Sequence, residues 1–302
     1  SFKTWVTNRF GAAIYQEYFG GYAEKVWGID PSQIDRYVAE KRVPAISIKF
    51  LVKAVVLKSE VKTKHPAYVG ENYYLKNGIG EIAQFFEKEA RERGVTILNG
   101  ATVTKVASEN GKATRVDFIA KGKPHSIPCD YLLSTIPLNG LISAFDNVPG
   151  PVTEMANALD YCSTVILFLK MKRRHLLPSH VVYYSDPQIL FSRVSDFAMF
   201  SEALAPKGKT LLCIEFPCSI NNAVWNMTER ELMEYAVGIL SKKAVLTPDD
   251  VEGAFLEKVS HSHPRFRVGF LERVKSCLDY LRTFSNLISF GRQGGFAYVN
   301  SD

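Results

Sequence analysis

The sequence predicts an α+β protein organised around a mixed, largely antiparallel sheet with helices beside it. Three observations carry this. Residues 164–170, 181–184, 189–194 and 210–216 are short, apolar and rich in β-branched or aromatic residues, so they read as strands of one larger sheet. Asn110-Gly111 lies between two alternating runs, 102–107 and 113–120, which is a strong short-range hairpin signal. Helical spacing of apolar residues and helix caps occur elsewhere: Trp5, Phe10, Ile14 and Tyr18 near the start, and the capping box Thr228-x-x-Glu231 later.

Taken in order, the first helix is expected to stop at Gly20-Gly21. Asp30-Pro31 reads as an N-cap with proline at the first helical position, opening a helix through Ile34 and Tyr37 toward Lys41. Residues 47–60 form a further apolar, helical segment. A loop, 73–80, leads into a helix over about 81–93 closed by Gly94. Strands are expected at 95–98, along the two hairpin arms, near Ser126, and at 131–136 ending on Pro137. The helix opened by Thr228 should reach about Lys242. A strand at 254–260 should break at Ser262-His263-Pro264, and a helix should follow over 270–282.

Composition excludes several classes. The chain has 302 residues, 46% hydrophobic and 23% charged, enough for a sizeable core in a globular protein. No apolar run nears the roughly 20 residues that span a bilayer, so no transmembrane segment is expected. The five cysteines are odd in number and form no C-x-x-C pair. Together with an N-terminus lacking a signal-peptide pattern, they indicate reduced thiols and a cytoplasmic location. A net charge of +6 without a nucleic-acid module argues against nucleic acid as partner. The cluster 170–175 reads as a solvated strand end, with an anionic surface or phosphate as the alternative. His261-x-His263 lacks a third ligand nearby and is read as incidental, so no metal is expected. G-x-S-x-G is absent, and no residue is assigned as catalytic.

Four blocks remain, and they occur in a recognisable order. The first runs from Arg9-Phe10-Gly11 through Tyr22-Ala23-Glu24-Lys25-Val26-Trp27-Gly28 to Arg42-Val43-Pro44. The second is Lys76-Asn77-Gly78-Ile79-Gly80 with its helix and the strand holding Val103. The third is Asp130 to Leu138, and the fourth is Gly291-Arg292-Gln293-Gly294-Gly295 to Asp302 after an apolar strand. Glycines let backbone amides approach a ligand, and an arginine fork suits phosphate. In this order the blocks resemble a superfamily of FAD-dependent oxidoreductases that includes protoporphyrinogen-oxidase-like, amine-oxidase-like and UDP-galactopyranose-mutase-like proteins.

The resemblance implies a division into a helical substrate region (1–75), a remnant of a FAD/NAD(P)-binding Rossmann-like domain (76–140), an antiparallel-sheet substrate domain (141–282) and a C-terminal FAD-contacting segment (283–302). It also implies site residues. Val103 would pair its backbone with adenine, Thr135 and Pro137 would pass the flavin, and Gly291, Arg292 and Asp302 would lie near the ribityl-pyrophosphate. Tyr22, Lys25, Trp27, Tyr184, Arg193 and Tyr298 are the substrate candidates, and Lys25, Trp27, Tyr184 and Arg193 are expected to converge on one concave surface. The structural alternatives are a core valine, a strand terminus, a core tryptophan, and an Arg193 ion pair with Asp196 or Glu215.

The family's G-x-G-x-x-G turn, which holds the FAD pyrophosphate on a helix N-terminus, has no counterpart here. The expectation is therefore of a further FAD-binding portion of roughly one hundred residues. These 302 residues alone should then bind FAD weakly or not at all and be inactive. The expected activity of the whole is oxidation of a small organic substrate. The alternatives are a sugar-nucleotide isomerase and a non-catalytic ligand-binding fragment. Against the isomerase, Ile46 stands where the mutases place a second substrate-gripping arginine, and Phe296-Ala297-Tyr298 lacks an arginine before the tyrosine.

Overall fold

A computed structural model describes residues 1–43 and 73–299. The Ser1 side chain caps helix α1 (Phe2–Phe10), and Gly11, at φ +89°, ends it. Helical structure then runs without a break over 12–27, its last part being α2 (Gly21–Trp27). The stop expected at Gly20-Gly21 is overturned. A Cβ on Gly20 would sit 3.1 Å from the Tyr15 ring, so the glycine seats a side chain. The turn out of the helix comes at Gly28, which is left-handed. Asp30 does not open a helix either. Its carboxylate accepts from Ser32 N at 2.7 Å in a local turn, and α3 (Arg36–Arg42) is capped by Asp35. The helix expected over 47–60 lies outside the described residues.

Helix α4 (Gly80–Glu92) has no buried residue, and the strand expected at 95–98 is irregular chain. Strands β1 (Ala101–Glu109), β2 (Lys112–Ala120) and β3 (Lys123–Pro128) form an antiparallel meander. Asn110 and Gly111 both have positive φ, +50° and +72°, which gives the twist a two-residue hairpin needs. Then come β4 (Leu132–Ser134) and the short helices α5 (Leu138–Ser143) and α6 (Gly150–Asn157).

The larger sheet comprises β5 (Asp160–Met171), β6 (Val181–Tyr183), β7 (Arg193–Asp196), β8 (Thr210–Cys218) and β9 (Val251–Arg265), in the order β6-β7-β8-β5-β9, antiparallel throughout. Between β8 and β9, helix α7 (Glu229–Lys242) turns Leu232, Ala236 and Leu240 onto one face of this sheet. They meet Val165, Leu167, Leu169 and Met171, the alternate residues of β5, in one core. Strand β9 does not break at Pro264. It pairs only with β5, so as an edge strand it has an unpaired side where a missing N–H costs little. The strand expected over 189–194 begins later, at Arg193, while Ile189 and Phe191 are buried in the same core.

Helix α8 (Phe270–Leu281) joins the N-terminal helices in a second core that includes Trp27, Phe266 and Phe296. The chain then forms β10 (Leu287–Ser289) and the single turn α9 (Gly291–Gly294). β10 pairs with β4 in parallel. Asn286 fastens this pair to the meander: it accepts from Ala113 N and donates to the carbonyls of Ala113 and Asp130.

Candidate functional site

Side by side, β4 and β10 bring two sequence-distant segments to one end. Phe290 N donates to Ser134 O at 3.0 Å, and Ser289 Oγ donates to Gly294 O at 2.8 Å. A Cβ on Gly294 would lie 2.9 Å from Ser134 O and 3.3 Å from Thr135 Cα, so only glycine allows the turn to sit here. Gly291, at φ +79°, makes the entry. The Tyr161 hydroxyl fixes the same junction from below, accepting from Leu138 N at 3.0 Å and donating to Gln293 O at 3.3 Å. Thr135, Pro137, Gly291 and Arg292 are thereby gathered at the carboxyl end of a parallel pair, where open parallel sheets bind ligands.

This end fits the polar stem of a flavin dinucleotide. Two buried polar atoms within it, Ser134 Oγ and Gln293 Oε1, have no hydrogen-bond partner. Buried polar groups are ordinarily satisfied, by protein, water or ligand. The exposed Arg292 uses Nε and Nη2 to donate to Val299 O, at 2.8 and 2.5 Å. Val103 stands 40% exposed on β1 in the attached meander. Asp302 lies outside the described residues.

An arginine–tyrosine array adjoins this end. Arg42 lies over the Tyr298 ring, 5.0 Å from its centre. Burial raises the Tyr298 hydroxyl above its ordinary value, and the charges of Arg42 and Arg292 oppose that rise. Tyr22 meets Tyr183 edge-on at 6.2 Å. Burial, with Tyr183, pushes the Tyr22 hydroxyl up to about 12 against the pull of Arg193 and Arg42. Tyr183 lies opposite Arg193 in the β6–β7 ladder, and Arg193 lies opposite Glu215 in β7–β8. Arg193 and Glu215 form an ion pair at 2.5 Å. The charges of Arg292 and Arg42 thus both act on Tyr298, and those of Arg42 and Arg193 both act on Tyr22.

The expected convergence of Lys25, Trp27, Tyr184 and Arg193 is not what the fold makes. Trp27 is 6% exposed, packed in the core against His263 and Phe266 at 5.0 and 5.8 Å. Tyr184 is 8% exposed, against Phe191. Side chains alternate along an extended chain, and its neighbour Tyr183, 60% exposed, takes the outward position. Lys25 donates to three carbonyls, of Tyr184 at 2.7 Å, Asp186 at 2.5 Å and Phe191 at 3.4 Å, so its protons are committed to tying α2 to the sheet. Burial lowers its ammonium to about 8, with the Asp186 carboxylate working against that shift. Arg193 has the ion pair with Glu215, yet 42% of its side chain remains exposed.

Arg42, Tyr183, Tyr161 and His263 were not singled out as site residues by sequence. Tyr183 could have been found by strand alternation from Arg193's partner strand. Arg42 stood in a recognised block, whereas nothing local distinguishes Tyr161 from a core aromatic. Among the described residues, no group of three or more His, Cys, Asp or Glu could hold a metal, and no helix is long and apolar enough to cross a membrane.

Comparison with known proteins bears on the fold and the family. Residues 57–267 match the family of flavin containing amine oxidoreductases. Among solved structures, that of reduced UDP-galactopyranose mutase aligns with a TM-score of 0.78 at 19% identity, over 97% of this chain and 62% of that one. A provisionally named protoporphyrinogen oxidase from Exiguobacterium sp. aligns with a TM-score of 0.69 at 15% identity, over 95% of this chain and 60% of that one. A putrescine oxidase redesigned in cofactor binding gives 0.62 at 12%, over 95% and 61%. No curated protein sequence matches the chain. Identities this low establish a shared fold, and the chain spans about three fifths of each neighbour's length. The family match covers well over half of the residues, and the chain belongs to the flavin containing amine oxidoreductases.

Proposed function

We propose that this chain forms the substrate-binding part and the C-terminal flavin-contacting turn of a FAD-dependent oxidoreductase acting on a small organic substrate that carries an anionic group. The observation behind this is the continuity of the Arg292 turn with the array of Arg42, Arg193 and three tyrosines. Bound FAD would supply the redox chemistry, and the protein would supply binding and orientation.

Each residue then has a physical task. Amides of the Gly291–Gly294 turn and the Arg292 fork would hold the ribityl-pyrophosphate, with Val299 O as the contact Arg292 exchanges for phosphate. Thr135 and Pro137 would lie along the flavin, and the Val103 backbone would meet adenine. Arg42 and Arg193 would take the anionic group, with Glu215 fixing the direction of Arg193. Tyr22, whose hydroxyl stays protonated across the physiological range, would donate a hydrogen bond. Lys25 would position the Tyr184–Phe191 segment without touching substrate. The five cysteines are unpaired, in keeping with a cytoplasmic location.

The array also favours a second reading, flavin-dependent isomerisation of a nucleotide sugar, since two arginines flanked by tyrosines suit a diphosphate. Ile46, where the resembling mutases carry an arginine, counts against it and lies outside the described residues.

Both readings share a test. FAD-supplemented protein is titrated with UDP-galactose and, separately, with the cationic diamine putrescine, following the flavin spectrum and heat of binding. The anionic ligand should bind, and Arg193→Ala should weaken it. Preference for the diamine would overturn the anionic-substrate reading.

A further inference from the structure

His261-x-His263, set aside above as a metal motif, acquires a different meaning from its hydrogen bonds. Ser262 Oγ has one proton, and it donates that proton to Cys162 O at 2.9 Å. It accepts from Thr164 Oγ1 at 3.1 Å. Its remaining contact, with His263 Nδ1 at 3.1 Å, must therefore be one in which the imidazole donates. The His263 ring carries its proton on Nδ1, which leaves Nε2 of this half-buried ring a lone-pair acceptor, and the ring's hydrogen bond to the described residues is the one at Nδ1. Trp27 holds the ring edge-on, with centres 5.0 Å apart and planes at 87°.

The surroundings keep that acceptor neutral. Burial, together with the guanidinium charges of Arg292, Arg265 and Arg42, lowers the imidazole to about 4. Arg265 is committed, donating to Asp160 and to Ser219 Oγ. Arg292 and Arg42 belong to the flavin turn and the arginine–tyrosine array respectively, so the ring is felt by both halves of the site. The guanidinium groups there can only donate, so a neutral ring acceptor beside them makes a contact that they cannot. An anion satisfies the arginines but offers nothing to a lone pair.

We propose that His263 is a specificity-determining residue, locked by Ser262 in the Nδ1–H tautomer so that Nε2 accepts a hydrogen bond from a hydroxyl or amine N–H beside the anionic group of the ligand. This rests on the anionic-ligand reading above. It adds that the ligand carries a hydrogen-bond donor next to its charge, as a sugar phosphate does and a simple carboxylate or sulfate does not.

The test combines nitrogen-15 NMR of the histidine ring with calorimetric titration of UDP-galactose into wild-type protein, His263→Asn and His263→Gln. Asparagine places an amide where Nδ1 was and keeps the Ser262 contact, whereas glutamine reaches the Nε2 position. The wild-type ring should show the Nδ1–H tautomer and no titration between pH 5 and about 8, and its Nε2 resonance should move on adding UDP-galactose. His263→Asn should lose about five- to tenfold in affinity, the worth of one hydrogen bond, and His263→Gln should recover most of it. An Nε2–H tautomer overturns the proposal whatever binds. Equal affinity of wild type and His263→Asn also overturns it while leaving the anionic-ligand reading intact. No UDP-galactose binding by wild-type protein overturns the anionic-ligand reading and, with it, the role given to His263.

Discussion

The five-stranded sheet and the region from α4 to β4 use similar sequence patterns and end in opposite states of burial. In the sheet, alternate residues of β5 and β8 are sealed under α7, with Leu167, Ile214 and Phe216 at 0% exposure. Helix α4 is as clearly amphipathic in sequence, yet Phe85 and Phe86 on it are 58% and 64% exposed. The parallel pair β4–β10 likewise leaves Leu133 and Ile288 at 65% and 59%. Parallel sheets normally bury both faces. The difference shows that an apolar period specifies an element, whereas burial depends on what packs over it. Thr135, Pro137, Gly291 and Arg292 sit where the densely packed sheet meets the open region, at the junction held by Tyr161.

Paired truncations would break this comparison most sharply. Phe191→Ala, in the sealed core at 0% exposure, should cost about 3–5 kcal/mol in denaturant unfolding. Phe86→Ala on α4 should change stability by no more than about 0.5 kcal/mol. Equal losses would mean that α4 is covered in solution.

Acid should act on the junction. Because the folded-state value of His263 lies below its ordinary 6.5, at about 4, the unfolded chain takes up the proton first as pH falls. Stability should therefore be lost between pH 6.5 and 4, by up to about 3 kcal/mol, and be fully present above 6.5. His263→Asn should flatten that part of the stability–pH curve, and an unchanged curve would place the ring in solvent.

Asn286→Ala probes the seam itself. It leaves the N–H and C=O of Ala113 and the carbonyl of Asp130 without their partner, at a cost of about 1–3 kcal/mol. Amide exchange should rise in β2 and β10 while β5 and β8 stay protected. Uniform loss of protection would show one cooperative unit in place of two differently packed regions.

How far sequence reached follows from the range of the interactions. The Asn110-Gly111 hairpin and the Thr228–Glu231 capping box are local, and both form as read. Gly20 misled because its reason is the Tyr15 ring, and Pro264 misled because tolerance for it depends on β9 being an edge. The antiparallel character of the sheet was legible from strand composition, whereas its strand order was not. At the site, Arg193 was legible as a polar residue in an apolar strand. The commitment of Lys25 to carbonyls more than 150 residues away was not, because no local pattern records it. The choice of Tyr183 over Tyr184 turned on one residue of strand register.

The central claim is that the glycine–arginine turn after β10 is a flavin contact continuous with the substrate array. FAD titration of wild-type and Arg292→Ala protein, read by flavin absorbance and fluorescence, tests it most directly. The account predicts weak but saturable binding by the wild-type chain, reduced in the variant by about 1.5–3 kcal/mol for a lost charge-assisted hydrogen bond. Superimposable saturable isotherms for the two proteins, or tighter binding by the variant, would contradict it.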